Sequence, residues 1–302
     1  EIEREDISPV TRTAKERIRF TAQSVAGQRA IVGLLEGVVQ ERATIGRKPN
    51  LRIANRWGNW DRRNDLPPRS LDTVALPTGQ RDLLVNDLTR FFANERHYAR
   101  LGTPWHRGYL FHGPPGSGKT SIARALSTEF GLDVSYICLS DLETDASLLG
   151  LVREIPARSL LLLEDIDVVD AARERDSEQA GISMAGLLNA LDGVITPHGL
   201  VTIMTTNHRA AIDPAVIRPG RVDLDVHIGY VTDGQVNDLF RIAYGQDPAR
   251  PLTAAPGQVA AQVSEVLRRY PDNPGGAEAE LRELGYNFPV DVIDAIKEDM
   301  HD

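Results

Sequence analysis

The sequence predicts an α/β protein: a parallel sheet wrapped by helices, followed by a small helical lid and preceded by an N-terminal α+β domain. Three observations support this fold class. Strand and helix patterns alternate between residues 108 and 205, a glycine-rich turn follows the first of these strands, and the segment after Gly229 has helical patterns interrupted by proline and glycine. Alternation of this kind is typical of parallel sheets, because each strand returns through a helical crossover.

The N-terminal region is predicted to form a domain of its own. We expect a strand at 16–24, an amphipathic helix at 27–44 and a strand or hairpin at 51–60. Pro67 and Pro68 then indicate a linker, because proline lacks a backbone donor and pushes the preceding residue out of helical geometry. The predicted domains are residues 1–68 (N-terminal), 69–230 (large) and 231–302 (helical lid).

The large domain is predicted element by element from its periodicity. It opens with a helix over 79–99, whose leucines and phenylalanines share one face and which Gly102 and Pro104 terminate. Helices and strands then follow in turn. They are a strand at 108–112, a helix at 120–130, a strand at 134–139, a helix at 146–154, a strand at 159–163, a helix at 182–191 and a strand at 199–205.

The charge distribution limits the possible partners. The 302 residues carry a formal charge of −9, which argues against a surface that binds nucleic acid or anionic membrane uniformly. Residues 1–76 sum to +4 and the remainder to −13. A basic front is thus joined to an acidic body, so nucleic acid stays possible as a partner of the front but is not favoured.

Cysteine content and hydropathy exclude further classes. Cys138 is the only cysteine, so the chain can form neither an internal disulfide nor a cysteine-rich zinc site. No apolar run reaches the roughly 18 residues that a membrane helix needs. We therefore expect a cytoplasmic protein with no membrane segment in these residues, and the alternative is an anchor in a segment that precedes Glu1.

The strongest motif satisfies G-x-x-x-x-G-K-[ST] between a strand and a helix. Glycines allow backbone N–H groups to surround phosphate oxygens, and the helix directs its positive N-terminus at the same anion. Lys119 is expected to reach the β- and γ-phosphates of ATP, and the Thr120 hydroxyl to ligate Mg²⁺. The predicted nucleotide-binding residues are Gly113, Pro114, Pro115, Gly116, Ser117, Gly118, Lys119, Thr120 and Ser121.

Carboxylates follow the buried strand at 159–163. Glu164 and Asp165 stand at the carboxyl edge of the predicted sheet, where ligands bind in such folds. One acid can hold the metal and the other can activate the attacking water. These residues alone leave open which of the two acids takes which role.

Residues 108–229 resemble an AAA module. The motifs that carry the resemblance occur in the family's order: the phosphate loop, the acidic strand end, the helix at 187–193, the segment 204–208 and the segment 213–223. The resemblance implies a P-loop AAA+ fold and a homo-oligomeric ring, a hexamer or heptamer. It also implies that Asn207 helps position the water, and that Arg218 and Arg221 form the arginine pair that reaches a neighbouring subunit's ATP.

Within that family the chain looks like the Bcs-type branch, whose mitochondrial member moves a folded iron–sulfur protein across the inner membrane. The matching segments are Leu71-Asp72-Thr73-Val74, Arg107-Gly108-Tyr109-Leu110, Glu164-Asp165 and Thr205-Thr206-Asn207-His208. By this resemblance the N-terminal domain corresponds to the branch's middle domain. The Glu-Asp order departs from the Asp-Glu order of most AAA proteins. By position the resemblance assigns Glu164, with Thr120, to the metal and Asp165 to activation of the water, and the exchanged assignment stays open.

The loop after the second strand bears on how a partner is handled. Threading AAA proteins have an aromatic-hydrophobic-glycine loop there, whereas this chain has the acidic segment 140–145 without an aromatic residue. The sequence therefore favours a ring-forming ATPase that remodels or translocates an unidentified protein partner by concerted movements. Two alternatives stay open: a nucleic-acid-associated motor, to which Trp57 and Trp60 among arginines would contribute, and a nucleotide-gated scaffold with low turnover.

Overall fold

The computed structural model describes residues 24, 49–63, 67–167, 169, 181–192 and 196–284. The chain divides into two compact units, Glu1–Arg47 and Lys48–Asp302. Apart from Ser24, the first unit lies outside the described residues, and with it the predicted helix at 27–44 and most of the predicted strand at 16–24. The second unit contains all the elements discussed below.

The second unit is built on a sheet whose described strands are mostly parallel. The strand order is β2-β1-β4-β5-β6-β3-β7, with only β2 antiparallel to its neighbour among the described pairs. The predicted α/β fold class is confirmed. The strands are β1 (Leu51–Ala54), β2 (Trp60–Arg63), β3 (His106–His112), β4 (Val134–Cys138), β5 (Leu160–Glu164), β6 (Leu200–Thr206) and β7 (Leu224–His227).

The order of the strands brings the predicted site together. β6 lies between β5 and β3, pairing with both in parallel register. The carboxyl ends of the three strands therefore meet at one edge, where β5 ends at Glu164, β6 leads to Asn207 and β3 leads to the phosphate loop. Buried leucines fill β5 on both faces, as expected for an interior strand of a parallel sheet.

Helices cover the sheet and form the lid, and several of their ends are set by local sequence. Gly102 adopts a left-handed conformation at the end of α2, and Thr232 and Gln235 form a reciprocal capping box at the start of α6. The predicted helix at 79–99 is interrupted at Asn94. The helices are α1 (Gln80–Ala93), α2 (Glu95–Leu101), α3 (Lys119–Glu129), α4 (Asp145–Arg153), α5 (Met184–Leu191), α6 (Asp233–Tyr244), α7 (Ala260–Arg269) and α8 (Pro274–Leu284).

Apolar side chains pack in three clusters. Two of them contain buried side chains from alternate positions of the same strands: Leu161 and Leu163 belong to one, Leu160 and Leu162 to the other. The third lies among α6, α7 and α8, around the fully buried Phe240. This separate cluster agrees with a lid beginning near residue 231, although that boundary stays a prediction.

The hairpin at 51–63 differs from the predicted domain organisation. We expected it to belong to an N-terminal domain ending at residue 68, but β1 pairs in parallel with β4, with Leu51 opposite Val134. Both strands are therefore part of the large sheet, and the division of the chain falls at Lys48. Pro67 and Pro68 indicate only that regular secondary structure is interrupted at that point in the chain. The pairing of β1 with β4, about eighty residues apart, cannot be predicted from a local pattern.

None of the helices in the described part of the chain combines the length and the apolar character that a membrane crossing requires.

Candidate active site

The phosphate loop joins β3 to α3 and contains all the predicted nucleotide-binding residues. Two of its glycines are required by geometry. Gly113 has φ of 136°, and a Cβ there would lie 2.1 Å from the carbonyl oxygen of Ile228. Gly118, with φ of 107°, precedes the first residue of α3. The loop can therefore curl tightly enough to direct backbone N–H groups towards an anion.

Lys119 is the buried cation of the loop. Its Nζ donates to the carbonyl oxygens of Gly113 and Pro114, at 2.7 and 3.0 Å, and to Oδ1 of Asn207 at 2.8 Å. Burial lowers the pKa of the Lys119 ammonium, opposed by the carboxylates of Asp165, Asp167 and Glu164. The ammonium is thus held between the loop and the end of β6, in a position to meet phosphate oxygens.

Glu164 is held from two sides. Its Oε1 accepts a hydrogen bond from the Thr120 hydroxyl, and its Oε2 accepts one from the Tyr136 hydroxyl at 2.7 Å. Burial, followed by the bond to Glu164, raises the pKa of Tyr136, so the phenol remains a donor. The contact between Thr120 and Glu164 supports the expectation that these two residues share one metal.

The donor set fits Mg²⁺ in particular. A hydroxyl and a carboxylate are hard oxygen ligands, and Mg²⁺ is usually held by one or two carboxylates together with substrate phosphates and water. In the described ranges no group of three or more His, Cys, Asp or Glu residues could hold an ion by itself. The site therefore suits a metal that arrives with a nucleotide.

Asp165 differs from its neighbour in having a free carboxylate. The residue adopts φ of 55°, a left-handed conformation that is uncommon outside glycine, and its N–H donates to Thr205 Oγ1 at 3.4 Å. Among the described residues its carboxylate has no hydrogen-bond or ion-pair partner. Burial, Asp167 and Glu164 raise the pKa of Asp165, while Lys119 opposes the shift. Such a carboxylate is well suited to accept a proton from water.

Asn207 follows β6 and lies beside the loop, as its predicted role requires. Its Oδ1 accepts the bond from Lys119, which leaves the amide nitrogen available as a donor. The preceding Thr206 donates to Oδ1 of Asp167 at 3.1 Å and accepts from the N–H of His208 at 2.9 Å. The end of β6 is thus tied to the segment after β5, which keeps the acids and Asn207 in register.

The two predicted arginines have different environments. Arg221 donates through Nε and Nη2 to both carboxylate oxygens of Asp192, at 2.7 and 3.1 Å, and through Nη1 to the carbonyl oxygen of Ala215 at 2.6 Å. Arg218 is exposed, and its guanidinium has no partner in the part of the chain that the structure describes. The structure therefore separates an anchored arginine from one that is available to another molecule.

A cavity of about 550 Å³ runs from the phosphate loop to the lid. Its floor consists of Lys119, Thr120 and the ends of β5 and β6. Residues 73–76 form one wall, and α6 and α7 contribute residues of the lid, among them Gln235 and Ser264. This size and shape suit a mononucleotide with its base away from the loop.

Sequence reasoning missed several residues of this site. Tyr136 and Arg69 belong to no motif, and Asp192 lies in the motif at 187–193 but was assigned no role. Each contributes only because of the way in which strands and helices pack. The parallel register of β4 and β5, in which Tyr136 lies two positions before the partner of Glu164, could not be read from the sequence. The sequence shows which functional groups these residues carry, but not that they lie near the other residues of the site.

The tryptophans of the hairpin are unequal. Trp60 packs against the core, and its indole N–H donates to the carbonyl oxygen of Leu151 at 3.2 Å. Trp57 is 68% exposed, with the Arg56 guanidinium 4.5 Å from its ring centroid. Trp60 is therefore a packing residue of the sheet, whereas Trp57 is exposed to solvent.

Comparison with known proteins places this site in a family. Residues 109–230 match the model of the ATPase family associated with various cellular activities (AAA). The chain therefore contains an AAA ATPase domain. The match begins within β3 and covers the phosphate loop, the acids at the end of β5, Asn207 and both arginines, so the AAA+ fold expected from the motifs is confirmed.

Among AAA proteins the chain is similar to the Bcs1 chaperones, which confirms the predicted resemblance. It is 36% identical over 235 residues to the probable mitochondrial chaperone bcs1 of Schizosaccharomyces pombe, covering 76% of this chain and 50% of that protein. Identity to the mitochondrial chaperone BCS1 of Homo sapiens is 39% over 225 residues, covering 69% and 54%. The chain thus spans about half the length of these curated relatives.

Proposed function

We propose that this AAA protein hydrolyses ATP and uses the cycle to remodel or translocate a protein partner. The observation that carries the proposal is the connected site in the cavity: Lys119 bonded to Asn207, Thr120 in contact with Glu164, and a free Asp165 beside them. These are the groups needed to bind phosphates, hold a metal and activate water, and they converge at the carboxyl edge of one sheet.

The protein residues divide the work of hydrolysis. Backbone N–H groups of the loop and Lys119 bind and orient the triphosphate, while Thr120 and Glu164 would hold Mg²⁺, which neutralises phosphate charge when bound. Asp165 accepts the proton of the attacking water, which Asn207 helps to orient. Because both oxygens of Glu164 already accept hydrogen bonds, Asp165 is the better base, and this supports our assignment over the exchanged one.

We further propose a homo-oligomeric ring of six or seven subunits in which Arg218 reaches the ATP of the neighbouring subunit. An exposed guanidinium without an acceptor of its own supports this role, because an arginine supplied in trans stabilises charge that develops on the γ-phosphate. Head-to-tail contacts of this kind generate closed rings. Arg221, held by Asp192, would then position the loop that carries Arg218.

A protein partner is proposed from the names of the relatives and from the loop after β4. The relatives are named chaperones. The loop residues Leu139 and Leu142 are buried, and Asp145 accepts bonds from the N–H and the hydroxyl of Ser183. This segment has no aromatic side chain that could hold an unfolded chain during threading. The cytoplasmic location expected from the sequence stays a prediction, and the relatives' names assign those proteins to mitochondria.

A nucleic-acid-associated motor is the second candidate, and the exposure of Trp57 beside Arg56 favours it. An aromatic ring with an adjacent guanidinium can stack on an unpaired base. If single-stranded nucleic acid bound, ATPase activity should rise on its addition and the effect should fall steeply with salt. A Trp57→Ala variant would then lose the stimulation and keep the basal rate.

Mixing two inactive variants tests the proposed function. Asp165→Asn removes the base from a subunit's own site, whereas Arg218→Ala removes the arginine offered to its neighbour. Each variant alone should release phosphate slowly. Co-expressed in equal amounts, they should recover roughly a quarter of the wild-type rate, since one interface in four combines an intact base with an intact arginine.

The control is a co-expressed pair that shares the defect, Asp165→Asn with Lys119→Ala, which should stay inactive because neither subunit has a complete site of its own. Sedimentation would verify that both mixtures assemble. Activity of Arg218→Ala by itself, or mixed rings without recovery, would contradict catalysis in trans.

A further inference from the structure

Two arginines meet beside the nucleotide cavity, away from Lys119. Arg69 precedes the short 3-10 helix Leu71–Thr73, and Arg124 lies on α3. The backbone N–H of Arg69 donates to Thr128 Oγ1 at 3.1 Å, one turn beyond Arg124 on the same helix. Arg124 in turn donates weakly to the carbonyl oxygen of Pro67 at 3.5 Å. The segment at 67–69 therefore runs along α3 and brings Arg69 near enough to Arg124 for their charges to repel.

The pair lacks a counter-charge. The Nε atoms of both arginines are buried without a hydrogen-bond partner. No carboxylate of the described residues forms an ion pair with either side chain. Burial, and then the positive charge of Arg124, lower the pKa of Arg69. Two like charges that are partly removed from water repel each other, and buried donors without acceptors carry a desolvation cost.

The position of the pair indicates what could supply that counter-charge. Arg69 lines the same cavity as the phosphate loop, together with Ser121 and Thr73. Arg124 follows Thr120 by four residues, which is about 6 Å along the helix axis. Lys119 and Thr120 serve the β- and γ-phosphates. An anion bound in the cavity beside Arg69 and Ser121 would therefore lie away from the β- and γ-phosphates, at the α-phosphate.

We propose that Arg69 and Arg124 form an anion subsite that binds the α-phosphate of the nucleotide. Guanidinium groups present several donors in a planar fork that matches phosphate oxygens. This inference rests on the proposed binding of ATP in the cavity. It adds a charge-specific contact outside the phosphate loop, and it explains why the chain keeps two arginines together without an acid.

The test compares stability and ADP affinity in Arg69→Gln and Arg124→Gln. Without nucleotide, the melting temperature should be unchanged or higher than in the wild type, because repulsion is removed. ADP affinity, measured by calorimetry, should fall about tenfold, the effect of losing one charge-assisted hydrogen bond. Arg69→Lys, which keeps the charge, should lose less, and Arg90→Gln, an exposed arginine of α1, should bind ADP like the wild type.

The source of the anion is distinguished with inorganic phosphate. If the pair holds free phosphate, phosphate alone should raise the melting temperature of the wild type and not of the variants, and ADP affinity should be equal in all of them. That result would overturn the proposal, as would Gln variants that are less stable or fail to fold without nucleotide. A changed oligomeric state with unchanged ADP affinity would instead assign the pair to a carboxylate of a second copy and also overturn it.

The outcome is separable from that of the proposed function. Failure of the wild type to bind ADP would contradict the proposed function itself. Normal binding by the wild type and by both Gln variants would contradict only the arginine subsite.

Discussion

The site has a partnered side and an unpartnered side, and the contrast between them is informative. On the first, Lys119, Thr120 and Glu164 have their polar atoms bonded within the chain. On the second, Asp165 and Arg218 have no side-chain partners among the described residues. Groups that must be preorganised are held in place by the protein, whereas groups that act on water or on another subunit's nucleotide stay available.

The largest expected effect contrasts the two arginines. Arg218→Ala should lower turnover by about 10³-fold or more if it acts in trans, with little change in melting temperature, because the side chain is exposed and has no hydrogen-bond or ion-pair partner among the described residues. Arg221→Ala should lower the melting temperature by a few degrees, since it leaves Asp192 and the carbonyl of Ala215 without their donor. Phosphate release and thermal melting of both variants would decide this.

The loss of stability expected in Arg221→Ala is modest. The Asp192 side chain is 46% exposed, so water screens the ion pair and replaces part of what is lost. If Arg218→Ala and Arg221→Ala lowered the melting temperature equally, the result would contradict the distinction between an anchored Arg221 and an available Arg218. Arg221→Lys serves as the matched variant, because it keeps the charge but cannot reproduce the two-pronged contact.

A smaller effect is expected on the partnered side from Tyr136→Phe. The substitution removes the hydrogen bond to Glu164 Oε2 and keeps the ring, so Glu164 becomes less well oriented. The Mg²⁺ concentration for half-maximal ATP hydrolysis should rise by about tenfold, the low end of what one hydrogen bond to a charged group contributes. ADP binding without Mg²⁺ should not change.

Tyr98→Phe is the control for Tyr136, because its ring packs against Phe91 far from the acids. An unchanged Mg²⁺ dependence in Tyr136→Phe would indicate that Thr120 alone orients Glu164. Weaker ADP binding without Mg²⁺ would indicate a general disturbance of the cavity.

The smallest effect concerns pH. Because burial and the charges of Asp167 and Glu164 raise the pKa of Asp165, the base should protonate, and activity fall, at a higher pH than an ordinary aspartate would require. Asp167→Asn removes one like charge, so the acidic limb of kcat/KM should move to lower pH. The control variant Asp272→Asn, at an exposed position, should not move the acidic limb of kcat/KM. If Asp167→Asn also left that limb unmoved, the result would argue against Asp165 as the titrating base.

The sequence determined the chemistry of this protein and the order of its elements. The phosphate loop, the acids after β5 and Asn207 were predictable, because each needs only a local pattern: glycines in a tight turn, an apolar strand and the polar residues that follow it. The parallel sheet followed from the alternation of strands and helices. These features depend on backbone geometry over a few residues, so they can be predicted without a structure.

The tertiary structure decided which polar groups meet. The sequence could not show that Leu51–Ala54 joins the large sheet, that Tyr136 holds Glu164, that Asp192 takes Arg221 and leaves Arg218 free, or that Arg69 lies beside Arg124. Each depends on strand register or on packing between residues 28 to 83 positions apart, and many sequences with the same local patterns would satisfy these contacts differently. Local propensity determines which segments form helices and strands, whereas packing of the buried core determines which of these elements lie next to each other.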